Sequence, residues 1–401
     1  MAECLTQRRR AAEVAKVRLG EVCDLFVDGD WIESKDQSPE GYRLVQTGNV
    51  GIGEYLDKKE RAKFISADTF ERLKCTEIFA GDVLVSRLPD PVGRACILPD
   101  LKQRAITAVD CSIIRFNSLS CEAGYFVHFT RSQDYARQIS QFLAGSTRVR
   151  ISRRNLQTVE IPLPSLADQK QIAAKLDAIC EIVSKREEQL KKLDQLVKSR
   201  FVEMFGDELG TSWQTATVGD VALVSVGVVI RPTQYYAESG IRAFRSLNIG
   251  EMCVKDTDWV YFTEEGHELC RKSRVQAGDV LVVRSGAPGT ACVVPADFGE
   301  ANAVDVIIAR PDSAMVDPVY LAMFTNMPHG MNQIRNRTGG AAQQHFNVGG
   351  YKAMRLMLPP LALQREFAAF VAEVDKSKFA VRKSLESYQK LYRQQLQEAF
   401  G

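Results

Sequence analysis

Two stretches of this sequence hold the side chains best suited to chemistry, and the chemistry they suit is recognition of a polyanion. Between Tyr135 and Val159 no Asp or Glu occurs, while Arg137, Arg148, Arg150, Arg153 and Arg154 all do. Between Pro318 and Arg365 acids are again absent. Arg335, Arg337, Lys352 and Arg355 stand there, Arg365 closes the stretch, and His329 and His345 lie beside them. The whole chain is nearly balanced, with 52 basic and 50 acidic residues and a net charge of +2. Such windows therefore create local positive fields that the global charge does not reveal. The plainer alternative is a pair of solvated loops that happen to lack acids.

Each window contains a loop of the same design. Residues 145–152 read Gly145-Ser146-Thr147-Arg148-Val149-Arg150-Ile151-Ser152, and residues 340–347 read Gly340-Ala341-Ala342-Gln343-Gln344-His345-Phe346-Asn347. Glycine opens both, an apolar anchor and a small polar residue close both, and the polar side chains between them differ. Arginine forks match guanine O6 and N7, and glutamine amides match adenine N6 and N7, each good pair discriminating by about 1–3 kcal/mol. The candidate nucleic-acid-binding residues are Ser146, Thr147, Arg148, Arg150, Arg153 and Arg154 in the first window, and Gln343, Gln344, His345 and Asn347 in the second. For any one of them a phosphate contact or an internal hydrogen bond is an equal use. A second repeated site is a strand followed by a loop, Ser86-Arg87 to Gly93-Arg94 and Arg284-Ser285-Gly286-Ala287-Pro288-Gly289. Arg87 and Arg284 are assigned to backbone contact with nucleic acid, with Arg94 and Ser285 beside them as further binding candidates, the alternative being an arginine paired with a neighbouring carboxylate.

Reaction centres are not evident, and no catalytic residue is assigned. There is no GxxxxGK[ST] phosphate loop, no GxSxG elbow and no Asn/Asp-Pro-Pro-aromatic motif of an amino-methyltransferase. Gly51-Ile52-Gly53 starts like a dinucleotide fingerprint, but Leu56 stands where its third glycine belongs. The ten cysteines include no CxxC pair and the four histidines no HExxH, so no metal site is expected. Ten thiols without a framework suit a reducing cytoplasm, where they act as small hydrophobes. No apolar run is long enough for a membrane span, and Met1 to Arg10 reads as no secretory signal.

What positions the loops is a duplication of half the chain. Leu19-Gly20-Glu21-Val22 returns as Val218-Gly219-Asp220-Val221, and Gly81-Asp82-Val83-Leu84-Val85-Ser86-Arg87 as Gly278-Asp279-Val280-Leu281-Val282-Val283-Arg284. Tyr125-Phe126-Val127-His128-Phe129-Thr130 returns as Tyr320-Leu321-Ala322-Met323-Phe324-Thr325, and Pro164-Ser165-Leu166-Ala167-Asp168-Gln169 as Pro359-Pro360-Leu361-Ala362-Leu363-Gln364. The globular parts, about 17–160 and 213–355, read as short β-runs punctuated by Gly, Pro and Asp, with helices such as that from Gly124 to Phe142. The fold class is α+β, with strands dominant in the globular parts.

Each copy ends in a long helix with a heptad seam. The first seam is Ile172, Leu176, Ile179, Val183, Leu190, Leu193, Val197 and Met204, and the second runs through Phe367, Val371, Val374, Val381, Leu385, Tyr388, Tyr392 and Leu396. From Asp168 to Phe205 such a helix is roughly 57 Å long. Burying one large aliphatic side chain is worth about 1.5–3 kcal/mol, so two exposed stripes of this size demand cover. The expected solution is an antiparallel pair burying the stripes on each other, and the alternative is two helices each packed on its own globular part.

The order of these parts resembles the specificity (S) subunit of Type I restriction–modification systems. The resemblance covers essentially the whole chain. It is carried by the helix starts Pro162-Leu163-Pro164-Ser165-Leu166-Ala167-Asp168-Gln169-Lys170-Gln171-Ile172 and Pro359-Pro360-Leu361-Ala362-Leu363-Gln364-Arg365-Glu366-Phe367, by the Phe-Gly ends at 205–206 and 400–401, and by the GDVLV strands. Leu363 departs from Asp168 at the cap of the second helix.

The resemblance implies an N-terminal arm at 1–16, target recognition domains at 17–161 and 207–356, and spacer helices at 162–206 and 357–401, related by a pseudo-two-fold. It implies a non-catalytic, cytoplasmic subunit that reads a split double-stranded DNA target, one half-site per domain. Two methyltransferase subunits would dock on the helices, bringing S-adenosylmethionine for adenine methylation, and restriction subunits would bring ATP and Mg. The chain itself would carry no cofactor. Half-sites about one helical turn apart would present one face of the duplex to both domains, the helix pair acting as a ruler. The alternatives are the recognition half of a split restriction–modification enzyme and a coiled-coil scaffold that does not touch DNA.

Overall fold

The computed structural model describes residues 14–143, 149–206, 213–338 and 345–401. The chain divides into two compact units, residues 1–186 with 384–401, and residues 187–383. These boundaries cut through both long helices, Leu166–Phe205 and Leu361–Phe400. The serial domains expected from the sequence therefore give way to units that each include parts of both helices. The expected arm also ends earlier, because Lys16 already pairs with Pro162 in a two-stranded ladder.

In the first unit an antiparallel sheet runs in the order Cys23–Asp28, Cys111–Phe116, Val83–Ser86, Ala95–Ile97. The Gly81-Asp82 start fixes its third strand. Gly81 takes a positive φ of 93°, and Asp82 accepts from the Phe79 amide and grips Arg115 through both carboxylate oxygens at 2.7 and 2.8 Å. A second sheet is ordered Phe64–Ile65, Tyr42–Val45, Ala105–Thr107, Glu77–Ile78, with its two central strands parallel. Val45, Leu84, Cys96 and Ile113 fill one core cluster. On the other side Val83, Val85, Tyr125, Phe126, Phe129, Tyr135, Leu156 and Ile161 form a larger one.

That larger cluster takes in Leu176 of the first long helix with Leu396 and Phe400 of the second. The beginning of one helix thus lies beside the end of the other. Burial also keeps the Cys96 and Cys121 thiols protonated and inert, both being pushed up to about 12.

The second unit repeats the plan. Its antiparallel sheet is ordered Ala222–Val226, Val306–Pro311, Val280–Val283, Ala291–Val293, and Asp279 holds Arg310 at 2.9 and 2.8 Å as Asp82 holds Arg115. A five-stranded sheet carries Tyr236–Ala237, Val260–Phe262, Ile241–Phe244, Ala301–Ala303 and Arg274–Val275 in that order. Val197, Phe201 and Phe205 from the end of the first helix meet Phe367, Val371 and Val374 from the start of the second, together with Tyr320 and Phe324.

The helices are therefore antiparallel in both units, as the duplication requires. The seam is not closed by helix against helix alone, because its ends are buried in the cores of the globular parts. Both alternatives weighed from the sequence are realised at once. Ile172, Leu176, Ile179, Val183, Leu190, Leu193, Val197, Val371, Val374, Leu385, Tyr388 and Tyr392 are all buried or half-buried.

Each helix is bolted to its globular part by a glutamine. Gln169 donates to Ser120 O and Pro164 O at 3.0 and 2.9 Å and accepts from the Glu122 amide. Gln364 repeats this with Met315 O, Pro359 O and the Asp317 amide. Both are buried, so each amide satisfies backbone groups that helix formation alone would leave orphaned.

The first unit adds a polar junction around His128, where the second has Met323. His128 is buried, with Nε2 2.8 Å from Asp177 Oδ1 on one long helix and Nδ1 3.0 Å from Tyr392 Oη on the other. Arg131 donates to the same Tyr392 hydroxyl at 2.8 Å and to Cys180 Sγ at 3.3 Å. Burial holds the His128 pKa below its ordinary value, against the pull of Asp177 and with Arg131 and Glu122 as its other charged neighbours. The unfolded chain then binds a proton that the folded unit refuses, in the window between the lowered value and about 6.5. Stability is accordingly full above that window and falls as pH drops through it. We expect the urea midpoint of the chain to fall on going from about pH 7 to about pH 5, and to fall less in a His128→Gln variant. Equal pH dependence of the two proteins contradicts the assignment.

Candidate nucleic-acid interface

The repeated arginines at the strand ends turn out to be framework. Arg87 is 4% exposed; its Nη1 lies 3.2 Å from Asp28 Oδ2, and its Nη2 donates to Val109 O at 2.8 Å. Arg284 is 8% exposed; its Nη1 lies 2.7 Å from Asp305 Oδ1, Nε donates to Phe346 O, and Nη2 meets His345 Nε2. Arg94, half-buried, spends its donors on four carbonyls: Val50 and Thr47 at 2.7 and 2.9 Å, and Leu88 and Pro91 at 2.8 and 3.1 Å. Their assignment to DNA contact is therefore corrected. A guanidinium can only donate, and these three donate to internal acceptors, although Arg87 Nε is buried without a partner.

These arginines do root the acid-free loops. The backbone carbonyl of Arg87 accepts from the Ile151 amide at 3.2 Å, and that of Arg284 from the Phe346 amide at 2.9 Å. Ile151 and Phe346 are the apolar anchors of the two loops, buried to 0% and 1% exposure. The small polar residue that follows is a helix cap in both copies. Ser152 Oγ accepts from the Asn155 amide at 3.1 Å before the helix Arg153–Gln157, and Asn347 Oδ1 accepts from the Gly350 amide at 2.7 Å before Val348–Lys352. Asn347 thus caps this helix through its Oδ1.

His345 and Ser285 are similarly tied together. A guanidinium can only donate, so His345 Nε2 accepts from Arg284, and Nδ1 is left to donate to Ser285 Oγ at 2.8 Å. The other histidine of the window, His329, is buried with its ring centroid 5.2 Å from that of Phe324, inside the core and not on a basic surface.

What remains for a polyanion differs between the units. In the first, Arg150, Arg153 and Arg154 are exposed, and Arg150 has Asp110 at 4.0 Å as its ion partner. At that distance, with both side chains wet, the pair contributes little and leaves the guanidinium available. In the second unit the positions of Arg153 and Arg154 are taken by Val348 and Gly349, and the exposed cations of its acid-free window are Lys352, Arg335, Arg337, Arg355 and Arg365. Arg337 is braced on Gln333 O and Ala353 O, and Arg355 on Thr215 Oγ1. Ser146, Thr147, Arg148, Gln343 and Gln344 lie outside the described residues.

Among the described residues no cluster of His, Cys, Asp and Glu could hold a metal ion, and no helix is long and apolar enough to cross a membrane. The carboxylates Asp28 and Asp305 were missed from sequence. Their signal was available, since each matching arginine follows a fully buried strand and so requires a counter-charge.

Residues 12–195 match the family described as the Type I restriction modification DNA specificity domain. The StySPI specificity subunit of Salmonella potsdam is 24% identical over 271 residues, 62% of this chain and 58% of that protein. The EcoKI specificity subunit of Escherichia coli K12 is 23% identical over 287 residues, 66% of this chain and 61% of that protein. The aligned part thus spans about three-fifths of the length of these curated relatives. The crystal structure of the Type I restriction-modification S subunit from M. genitalium superposes with a TM-score of 0.58, covering 96% of both chains at 14% identity, a likeness of fold. Each unit thus repeats one α+β plan that includes parts of both long helices, and the chain shares the fold of that S subunit while its first half matches the Type I restriction modification DNA specificity domain.

Proposed function

We propose that this chain reads DNA sequence for a Type I restriction–modification assembly and performs no chemistry itself. Each unit takes one half of a split double-stranded target. Methyltransferase subunits, two in number, dock on the long helices and methylate an adenine in each half-site with S-adenosylmethionine, and restriction subunits use ATP and Mg to cleave unmodified DNA. The observation that carries this reading is the shared frame. In both units a buried arginine at a strand end anchors, by its backbone carbonyl, an acid-free loop whose framework residues agree and whose polar side chains do not. Such a design permits two different half-sites to be read from one scaffold.

Single-molecule methylome sequencing of cells carrying the chain with its methyltransferase partner tests it. The expected result is methylated adenine in a motif interrupted by an unread spacer. A continuous motif, or none, overturns the reading.

A further prediction concerns the exposed cations. If Arg150, Arg153 and Arg154 meet phosphates, replacing all three by alanine lowers the slope of log affinity against log salt by about 0.9 per lost contact, and so by up to about 3. Binding measured by anisotropy of a labelled duplex across a salt series checks this. An unchanged slope removes these residues from the interface, and no salt dependence in the parent chain favours the scaffold alternative.

A further inference from the structure

The arginine root of each unit carries a second loop, and that loop ends in exposed apolar side chains. In the first unit the Gly29 amide donates to Cys111 O at 2.8 Å, the Asp30 amide to Thr107 O at 2.8 Å, and the Val109 amide to Asp30 O at 2.9 Å. In the second the Gly227 amide donates to Val306 O at 2.9 Å, the Val228 amide to Ala303 O at 2.8 Å, and the Asp305 amide to Val228 O at 3.2 Å. Both glycines are obligatory, because an added Cβ would lie 2.4 Å from Thr107 O and Ala108 O at Gly29, and 2.5 Å from Ala303 O at Gly227.

The residues that clamp this loop are those that hold the buried arginine. Val109 O accepts from Arg87, and the Asp305 carboxylate pairs with Arg284. One guanidinium in each unit therefore links the acid-free loop to the glycine-fixed one.

Immediately beyond the clamp stand Trp31 in the first unit, 70% exposed, and Val229 and Ile230 in the second, 50% and 79% exposed. A single exposed hydrophobe on a protein surface is ordinary. Here large apolar side chains leave the same backbone step of both copies, on the root shared with the candidate reading loop. The neighbouring acid Glu33 is offset by Lys35 at 2.7 Å, and Arg231 follows Ile230. We propose that Trp31 and the Val229–Ile230 pair are apolar probes that contact the stacked bases of duplex DNA, one in each half-site. Trp31 lays its ring on a base or an opened base step, and Ile230 enters a step as an aliphatic wedge. This rests on the DNA-reading function and adds a base contact that does not depend on charge.

The test uses the full chain and a mixed-sequence duplex. Acrylamide quenching of tryptophan fluorescence is compared between the chain and its Trp31→Phe variant, which assigns the signal of Trp31. The expected result is an open Trp31 in the free chain that becomes shielded when anisotropy shows the duplex bound. In parallel, Trp31→Ala and Ile230→Ser each lower affinity about 5- to 100-fold with the salt slope unchanged, because an apolar contact releases no counterions. Thermal unfolding of both variants shows that the fold persists, as expected for exposed positions. A Trp31 that stays open while DNA is bound, or variants with unchanged affinity, overturns the probe and leaves the DNA reading intact. A chain that binds no duplex at any salt overturns both.

Discussion

An Arg87→Ala variant loses stability, not phosphate contacts. Arg87 is sealed from water and satisfies Asp28 Oδ2 and Val109 O, while its own backbone carbonyl holds Ile151. Truncation leaves Asp28 with Ser112 Oγ, at 3.1 Å, as its hydrogen-bond donor, and leaves Val109 O without the guanidinium. Removing one partner of a buried ion pair costs about 3–5 kcal/mol. Asp28 keeps partial access to water, so the lower end of about 3 kcal/mol is expected here. Urea denaturation reads this as a lowered midpoint. Under the proposed DNA-reading function, at a temperature where the variant remains folded, its DNA affinity keeps the parent's salt slope, since no phosphate contact has been removed. A variant of full stability with a reduced slope returns Arg87 to the DNA surface.

The same arginine shows where sequence reading succeeds and where it stops. Matching Gly81-Asp82-Val83-Leu84-Val85 with Gly278-Asp279-Val280-Leu281-Val282 identifies equivalent strands, and both form with the same neighbours. The heptad positions are legible for a like reason, because period alone decides which face of a long helix must be covered. Period does not say what covers it. Leu176 and Val197 share one heptad position with Leu190, yet the first two are sealed against globular cores and Leu190 is half-buried.

For Arg87 and Arg284, a phosphate or a buried carboxylate would satisfy an equivalent arginine equally well. The partners Asp28 and Asp305 come from different elements and make no common pattern along the chain. In the first copy the carboxylate sits at the end of the strand Cys23–Asp28, and in the second it sits in the turn before Val306–Pro311. Gln169 and Gln364 were visible as matching letters in the helix starts, but their bonds to Ser120 O and Met315 O, 49 residues away in each case, exist only once the chain has folded.

Phe201→Ala is expected to produce the largest loss of stability in the chain. Phe201 is fully buried where the end of the first long helix meets the start of the second and the core of the second unit. Its ring lies 5.0 Å from Phe205, 5.5 Å from Tyr320 in a stacked arrangement and 5.4 Å from Phe367 edge-on. Truncation removes the transfer free energy of a phenyl group and leaves a cavity walled by rings that cannot all turn inward. Phe→Ala at such sites costs about 3–5 kcal/mol, and lost edge-to-face and offset contacts add about 0.5–1.5 kcal/mol per pair. Val183→Ala, at a half-buried position on the seam of the same helix, should cost under about 1.5 kcal/mol, because there the removed methyls are already partly wet. Paired urea denaturation curves check the contrast. Similar losses at the two positions would mean that helix pairing alone closes the seam, and would contradict the shared core that the antiparallel ends are seen to enter.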